Sequence, residues 1–161
     1  MAKFLNTRKA IAALEDIIKN AEDKLILVSP FLKLSKDFKE LLTYRNGLNK
    51  TTTVIFGKQE LNPDEHTFLN NLKCVVLKFY PDLHAKCYLN ESHMIITSLN
   101  LYDYSMANNK EMGVLIELDN TSDQNLFQDA LKEVEYINAL STQFEFDPKP
   151  NERKANKISK N

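Results

Sequence analysis

The spacing of apolar residues predicts that helices and strands alternate through the first half of the chain. Apolar residues recur at helical intervals within residues 7–22, and the uninterrupted run LILV at 25–28 predicts a buried strand. A helical segment at 36–48 is followed by the β-branched run at 51–56, TTTVIF. A short helix from Pro63 and the apolar run KCVVLKFY complete a pattern typical of βαβ units.

Polar residues mark the expected ends of these helices. Thr7 and Ser35 stand where helical stretches begin, and their hydroxyl groups can accept a hydrogen bond from a free backbone N–H, so both are expected N-caps. Gly47 is expected to close the second helix because glycine readily ends a helix.

In the second half, strands follow one another directly. Residues 84–90 and 93–100 flank the polar tetrad NESH, which predicts an antiparallel hairpin, and 110–118 predicts a further strand. A closing amphipathic helix is expected within 123–144. Its apolar positions are Leu126, Ala130, Leu131, Val134, Ile137 and Leu140. The predicted fold is a single α/β domain, a sandwich on a mixed sheet, without a linker before about residue 147.

Charge sets the end of the chain apart from the rest. The formal net charge is −1, but the segment from Pro148 carries five basic residues against Glu152, a net +4 that leaves −5 elsewhere. We interpret 147–161 as a basic, solvated tail, with a weak electrostatic contact to nucleic acid as the alternative. With three glycines in 161 residues, the chain has no Walker-type or dinucleotide-binding fingerprint.

Two cysteines and the absence of long apolar runs predict a cytoplasmic protein. Cys74 and Cys87 lie inside apolar runs without metal-ligand spacing, which favours buried thiols in a reducing compartment. The first twenty residues are amphipathic, unlike a signal peptide, and no run is long enough to span a bilayer. No stable membrane association is expected.

Residues 83–101, LHAKCYLNESHMIITSLNL, hold the candidate chemistry. Residues two apart in a strand point to the same face, so His84 is expected to share a face with Lys86, and Ser98 with Asn100. An antiparallel hairpin brings the start of its first strand beside the end of its second. Imidazole, ammonium, hydroxyl and carboxamide groups should therefore meet at one rim of the sheet.

A nearby carboxylate, together with the imidazole, ammonium, hydroxyl and carboxamide groups, points to phosphodiester chemistry. Glu111 opens the next predicted strand and would reach the same rim if the strands are neighbours, where a carboxylate could orient the His84 ring. Lysine and asparagine donate to anionic oxygens, and a neutral imidazole can attack phosphorus. Without paired acids or histidine ligands, a metal site is poorly supported. The set fits a metal-independent reaction in which one histidine attacks phosphorus and forms a phosphohistidine. A second histidine then protonates the leaving oxygen.

The segments HAKCYLNE, TSLN and NNKEMGVLI, in that order, resemble the HxK…(G)SxN…E signature of the phospholipase D superfamily. The run LILVSPFL also resembles the strand that precedes the active-site loop in that family. The resemblance covers most of residues 1–145 and is most specific over 84–111. It implies a phospholipase D-like α/β/α sandwich on a mixed β-sheet, with residues 1–146 as the catalytic domain.

The resemblance also implies roles for the five residues of the motif. His84 would be the nucleophile or the general acid, and Lys86 and Asn100 would bind the phosphate. Ser98 would form hydrogen bonds within the site, and Glu111 would support the histidine. No cofactor and no metal ion are implied.

Two positions depart from the family pattern. Glu91 stands where the family has an aspartate, and Thr97 stands for the glycine before the serine, with one residue fewer between the motifs. Because that aspartate is usually structural in the family, its replacement is not expected to abolish activity. The threonine could change how closely a substrate approaches the strand.

One HxK motif is half of what the family's site needs. His66 and His93 are not followed two residues later by lysine, so the chain resembles the single-motif bacterial endonucleases, which build one site from two subunits. We expect a homodimer with His84 of each chain on opposite sides of one phosphate. The predicted function is a metal-independent phosphodiesterase, most simply a nuclease acting on DNA or RNA. The alternatives are a phospholipid-processing enzyme and a catalytically silent nucleic-acid-binding module.

Other reactive residues have plainer interpretations. His66 and His93 are expected in solvent, and Cys87 should point into the core, away from His84 and Lys86.

Several residues before and after the motif are open to two interpretations. Ser29, beside Pro30, is interpreted as a turn residue. Lys33 and Lys36 are surface lysines or a wall of the substrate groove, and Tyr102 and Tyr104 pack the loop or stack on a base. These alternatives remain open at the level of sequence.

Overall fold

The computed structural model describes residues 1–57, 61–102 and 107–144. The predicted basic tail at 147–161 and Tyr104 lie outside the described residues. The strands are β1 (Lys3–Asn6), β2 (Leu25–Val28), β3 (Leu32–Lys33), β4 (Thr52–Phe56), β5 (Val75–Phe79), β6 (Cys87–Asn90), β7 (His93–Thr97), β8 (Leu101–Tyr102), β9 (Met112–Glu117) and β10 (Thr142–Gln143). The helices with described bounds are α1 (Thr7–Asn20), α2 (Lys36–Gly47), α3 (Pro63–Asn70) and α4 (Gln124–Leu140).

A mixed eight-stranded sheet, in the order β1-β9-β7-β6-β2-β4-β5-β10, forms the centre of the fold. Strands β2, β4 and β5 run parallel, and the other neighbouring pairs are antiparallel. The predicted βαβ units and the hairpin of β6 and β7 are therefore confirmed. Since Val28 pairs with Cys87, the carboxyl ends of the parallel strands share one rim with the start of β6. We call this the upper rim.

Helices cover both faces of the sheet, as the sandwich prediction requires. On one face, helices α1, α2 and α3 pack on strand residues such as Leu27 and Ile95. On the other face, α4 packs Phe127 and Val134 against the sheet, and the predicted burial of Cys87 in this core is confirmed. Burying apolar side chains stabilises the fold by roughly 25 cal/mol for each Å² removed from water.

The predicted N-cap of the second helix is confirmed, and that of the first helix is wrong. Ser35 accepts a hydrogen bond from Phe38 N at 3.3 Å and is the N-cap of α2, as expected. At α1 the N-cap is Asn6, whose Oδ1 accepts from Lys9 N at 3.0 Å, so the prediction for Thr7 was wrong by one residue. This shift leaves the Thr7 hydroxyl for a contact at the candidate site.

Helix α4 is shorter than the predicted segment. Val134 and Ile137 are buried, but Leu126 and Leu140 are about half exposed, because the apolar stripe of the sequence is wider than the contact with the sheet. The chain then forms the edge strand β10 on β5. Among the described residues, no helix combines the length and apolar character needed to cross a bilayer.

Candidate active site

Three of the motif residues lie together at the upper rim, just outside the strands that deliver them. Lys86 directly precedes β6, Ser98 directly follows β7, and Glu111 directly precedes β9. Thr97 N donates to Lys86 O at 3.3 Å, and Ser98 N donates to Met112 O at 2.9 Å. The predicted meeting of the strand ends is therefore found. His84 was expected to share a face with Lys86, and Ser98 with Asn100, because side chains alternate along a strand. All four residues lie beyond the ends of β6 and β7, where this alternation does not apply.

Ser98 connects the hairpin to Glu111. The Ser98 hydroxyl donates a short hydrogen bond to the Glu111 carboxylate, and Met112 N donates to Ser98 Oγ at 3.1 Å. Glu111 is buried, with 8% of its surface exposed. The hydroxyl is thus held by groups from β9, which fixes its direction at the rim.

Lys86 lies within electrostatic reach of this carboxylate. Partial burial lowers the pKa of Lys86 below its ordinary value, and the negative charge of Glu111 acts in the opposite direction. The Lys86 ammonium also donates to His84 O at 3.0 Å. A cation, a carboxylate and a hydroxyl therefore share one small region of the rim, and of these the Lys86 ammonium is able to donate to an anionic oxygen.

The segment that carries His84 is pressed against the end of β4. Asp82 adopts a φ of 60° in the preceding turn, a conformation that aspartate tolerates better than most residues. A Cβ atom added to Gly57 would lie 2.4 Å from Leu83 Cβ, so only glycine allows this approach. Leu83 is buried while His84 is exposed, and the imidazole is accessible at the rim.

Glu111 is positioned through its backbone by the first residue of α1. Glu111 N donates to Thr7 Oγ1 at 2.8 Å, and the same hydroxyl donates to Glu111 O at 3.3 Å. The two residues are 104 apart in sequence, so sequence reasoning missed this contact and had no local signal for it. No hydrogen bond joins Glu111 to His84 among the described residues, and its implied support of the histidine stays a prediction.

Asn100 presents an unmatched polar atom beside the site. Its Oδ1 is buried and has no hydrogen-bond partner among the described residues. A buried amide oxygen left unpaired costs about 1–3 kcal/mol, so such groups usually await a ligand or water. A half-turn of the amide would present its NH₂ donors at the same place, where a phosphate oxygen could accept from them.

The loop between Ser98 and Tyr102 is anchored by buried hydroxyl groups. Ser29 is fully buried. Its Oγ donates to Phe31 O at 2.7 Å and accepts from Leu101 N at 2.9 Å. Tyr88 OH donates to Leu99 O at 2.7 Å. Ser29 is therefore more than the turn residue that the sequence predicted, because it joins two segments of the rim.

The two departures from the family pattern lie in different environments. Thr97 is at the upper rim, where its Oγ1 donates to Met112 O at 2.7 Å and accepts from Leu99 N at 3.1 Å. Glu91 is at the opposite end of the hairpin, where its carboxylate accepts from Glu22 N at 3.0 Å and Lys24 N at 3.3 Å. Glu91 thus fastens the loop before β2 and lies away from the candidate site.

The other two histidines lie elsewhere, and one prediction about them was wrong. His66 is 7% exposed rather than in solvent, because its ring packs edge-on against Phe144 with the centroids 5.6 Å apart. His93 is the first residue of β7 and half exposed, with Nδ1 at 2.8 Å from Ser92 Oγ. His93 belongs to the opposite rim.

Among the described residues, no group of three His, Cys, Asp or Glu side chains is arranged to hold a metal ion.

Comparison with known proteins identifies the fold by structure rather than by sequence. No protein-family model matches the sequence, and no curated protein matches it significantly. Nuc from Salmonella typhimurium, described as a phospholipase D family member, matches with a TM-score of 0.72 at 12% identity, covering 91% of this chain and 99% of Nuc. The chain has the phospholipase D fold. The resemblance seen in the sequence is confirmed at this level.

Two further structures share the phospholipase D fold with this chain. NucT from Helicobacter pylori matches with a TM-score of 0.75 at 12% identity, covering 89% of this chain and all of NucT. The phosphatidylserine synthase of Haemophilus influenzae matches with a TM-score of 0.67 at 16% identity, over 89% of this chain and 40% of the synthase. The chain thus has the size of Nuc and NucT and corresponds to part of the synthase.

Proposed function

We propose that this protein is a homodimeric, metal-independent phosphodiesterase that hydrolyses nucleic acid, most simply a nuclease. The observation that carries the proposal is the meeting of Lys86, Ser98 and Glu111 beside an exposed His84 at one rim of a phospholipase D fold. Asn100 adds a carboxamide with an unmatched buried oxygen. These are the groups needed to bind and attack a phosphodiester.

In the proposed reaction, an imidazole nitrogen of His84 attacks the phosphorus atom. The P–N bond forms as the bond to the leaving oxygen breaks, and a second, protonated histidine gives that oxygen its proton. The same second histidine then removes a proton from water, whose oxygen attacks phosphorus and releases His84. Lys86 and Asn100 donate to the non-bridging oxygens, where charge accumulates in both steps.

The second histidine is proposed to be His84 of the partner subunit. His66 is buried in α3 with its ring packed on Phe144, and His93 begins β7 at the opposite rim, so one chain supplies one exposed histidine at the site from its described residues. A two-fold axis beside the rim would bring two copies of His84 to one phosphate. The site is incomplete without the partner, which makes dimerisation part of the proposal.

An exposed apolar patch next to the site supports a dimer on this side of the molecule. Phe4 pairs with Val114, which pairs with Ile96, so one row crosses three strands, and Met112 extends it. These four residues, named the rim patch, are between 39% and 65% exposed. They share a sheet face with residues that α4 covers, but they lie beyond the part that α4 reaches.

The rim patch also adjoins the candidate site. Met112 N donates to Ser98 Oγ, so the patch begins where the site ends. Contiguous exposed apolar surface usually marks a binding surface. A second copy seated on the patch would cover it and close the site with its own motif. A stable dimer needs about 800 Å² from each partner, so the patch would form the centre of a larger contact.

The deciding experiment is hydrolysis of bis(p-nitrophenyl) phosphate in the presence of EDTA. The wild type is expected to turn the ester over, and His84→Ala is expected to lose at least about 1000-fold in rate. His93→Ala is the matched control, because it removes a half-exposed histidine from the opposite rim and should keep wild-type activity. Acid-labile phosphate bound to the wild type after rapid quenching would identify the phosphohistidine.

Other outcomes would favour the alternatives. Activity that survives in His84→Ala would show that the nucleophile is a different residue. A folded dimer without activity that still binds oligonucleotides would indicate a silent nucleic-acid-binding module. The match to a phosphatidylserine synthase keeps phospholipid processing as the second candidate, and hydrolysis of phospholipid in vesicles but not of nucleic acid would establish it.

A cytoplasmic location is part of the same proposal. Cys74 and Cys87 are both free thiols, and burial raises the pKa of Cys87 to about 12, which keeps that thiol protonated and unreactive. Free thiols suit a reducing compartment. Fractionation of cells that produce the protein would test this directly.

A further inference from the structure

A groove of about 220 Å³ opens at the upper rim beside the motif residues, and the proposed reaction does not use it. It is lined by Pro30, Phe31, Leu32, Lys33, Phe56, Leu61, Asn62 and Tyr102. Two of these residues are aromatic and close to the surface, since Phe31 is 47% exposed and Tyr102 is partly exposed. The groove therefore combines ring faces, one cation and one carboxamide.

The groove is joined to the candidate site through the backbone. Phe56, in its wall, directly precedes Gly57, and Gly57 is packed against the Leu83 that precedes His84. On the other side, Tyr102 is two residues after Asn100. The walls of the groove are therefore continuous with the segments that carry His84 and Asn100.

The aromatic and basic residues of the groove are held in a fixed arrangement. Strands β3 and β8 pair in parallel and place Lys33 opposite Tyr102, with Lys33 Nζ 5.9 Å from the centroid of the tyrosine ring. Buried Ser29 ties both strands together, through its hydrogen bonds to Phe31 O and Leu101 N. Such a small, anchored sheet gives the groove a preformed shape, which lowers the entropic cost of binding.

We propose that this groove binds an unpaired nucleobase next to the cleaved phosphodiester, so that the enzyme acts on single-stranded nucleic acid. The inference rests on the proposed function and adds its substrate class. The base stacks on Tyr102 and Phe31, and Lys33 holds the adjoining phosphate. Stacking on an aromatic side chain accepts any base, because every base has a π-face, so little sequence preference is expected.

The chemistry of the groove favours an unpaired strand over the other candidates. In a duplex the base faces are covered by their neighbours, and only edges and backbone are available to a protein. A phospholipid can pair its phosphate with Lys33, but its acyl chains have no flat ring to stack on Phe31 and Tyr102. An unpaired nucleotide uses both parts of the groove, because it supplies a flat ring together with a phosphate.

Binding measurements can test the groove separately from catalysis. The protein would carry His84→Ala, so that nothing is cleaved, and the probe would be a fluorescent ten-nucleotide deoxythymidine strand measured by anisotropy at fixed salt. A hairpin duplex of equal charge would serve as competitor. We expect the single strand to bind about ten-fold or more tightly than the duplex.

Substitutions test whether the preference for single strands comes from the groove. Tyr102→Ala should weaken binding of the single strand about ten-fold, while Tyr102→Phe, which keeps the ring, should restore most of it. Tyr136→Ala is the matched control, because Tyr136 is 59% exposed on α4, and it should bind as the parent protein does. A thermal melt of each variant would establish that it is folded.

An abasic strand provides the second test. Removing the bases from the probe should weaken binding to the parent protein but change little for Tyr102→Ala, because the stacking partner is already lost. Equal affinity for single strand and duplex, or no effect of Tyr102→Ala, would overturn the inference even if the enzyme hydrolyses nucleic acid. Binding to phosphatidylglycerol vesicles that Tyr102→Ala abolishes would overturn it in favour of a lipid site. Loss of bis(p-nitrophenyl) phosphate turnover alone bears on the proposed function and not on the groove.

Discussion

Thr97 and Gly113 lie directly opposite each other on β7 and β9, and each depends on the other's size. A Cβ atom added at Gly113 would lie 2.9 Å from both Thr97 Cβ and Thr97 Oγ1, closer than side chains normally approach. The threonine stands where the family pattern has glycine, and the glycine stands across from it. The glycine therefore leaves the space that the threonine occupies.

Gly113→Ala is expected to destabilise the protein by about 1–3 kcal/mol, because the strands must separate or Thr97 must leave its position. Chemical denaturation would measure the free energy of unfolding. In a Thr97→Gly background the same substitution should cost at least about 1 kcal/mol less. Gly47→Ala, where an added Cβ meets nothing within 4 Å, is the control and should not destabilise. Equal costs in both backgrounds would show that the two residues are not coupled.

Glu111→Gln should lower the pKa of Lys86 further. Burial already lowers this pKa, and the negative charge of Glu111 opposes that effect, so neutralising the carboxylate removes the opposition. Lys86 would then lose its proton at lower pH. The loss of inorganic phosphate binding at alkaline pH, called the alkaline limb, should therefore begin at lower pH. Titrating phosphate affinity from pH 7 to 11 would measure the shift. Glu117→Gln, at the far end of β9, should leave the limb in place, and an upward shift in Glu111→Gln would contradict the assignment.

Glu91 should make the stability of the fold depend on acid pH. Burial opposes ionisation of this carboxyl, but the N–H groups around Glu22 and Lys24 outweigh it and hold its pKa below the ordinary value of 4.5. A carboxyl whose pKa is lower in the folded state than in the unfolded state stabilises the fold at pH values above the unfolded pKa. This contribution is lost as the pH falls through the folded pKa. Glu91→Gln should therefore cost about 1 kcal/mol at pH 7 and progressively less below about pH 4.5.

Urea denaturation at several pH values would measure this difference in unfolding free energy. Glu133→Gln, on the exposed side of α4, is the control and should show a much smaller pH-dependent difference. A Glu91→Gln cost that stays constant down to pH 3 would mean that the charge of Glu91 is not what fastens the loop.

The shared site should be visible in mixtures of active and inactive chains. If each site needs His84 from both subunits, adding His84→Ala chains to the wild type and allowing exchange should reduce activity as the square of the wild-type fraction. Turnover of bis(p-nitrophenyl) phosphate at constant total protein would show the curve. A linear decline would mean that each subunit acts alone, and His93→Ala chains should cause no decline.

The rim patch should hold the dimer together. Phe4→Asp places a charge in the exposed apolar row, and an isologous contact contains the substitution twice, so the dimer dissociation constant should rise about 100-fold or more. Sedimentation equilibrium would measure it, and activity should fall together with dimerisation. Leu126→Asp is the matched control, since Leu126 is 47% exposed on α4, away from the patch. A Phe4→Asp protein that stays dimeric would move the interface elsewhere.

Local patterns in the sequence determined most of the framework. Apolar spacing predicted α1 to α3, the parallel strands and the hairpin, because burial of one face imposes a period that can be read residue by residue. Strands β1, β3, β8 and β10 were missed, because the last three have two residues each and β1 buries only one of its four side chains. The order HxK, SxN and Glu111 also predicted that the segments carrying Lys86, Ser98 and Glu111 would meet, since strand ends in a hairpin are neighbours by geometry.

Only the tertiary structure decided what holds those side chains in place. Thr7 supports Glu111 across 104 residues, Ser29 Oγ accepts from Leu101 N across 72 residues, and His66 is buried because Phe144 packs on its ring. None of these contacts leaves a local pattern, since each joins segments that are distant in sequence. The sequence by itself therefore determined which reactive side chains this chain carries and the strands that deliver them. The packing of distant segments determined the geometry of the candidate site and the groove beside it.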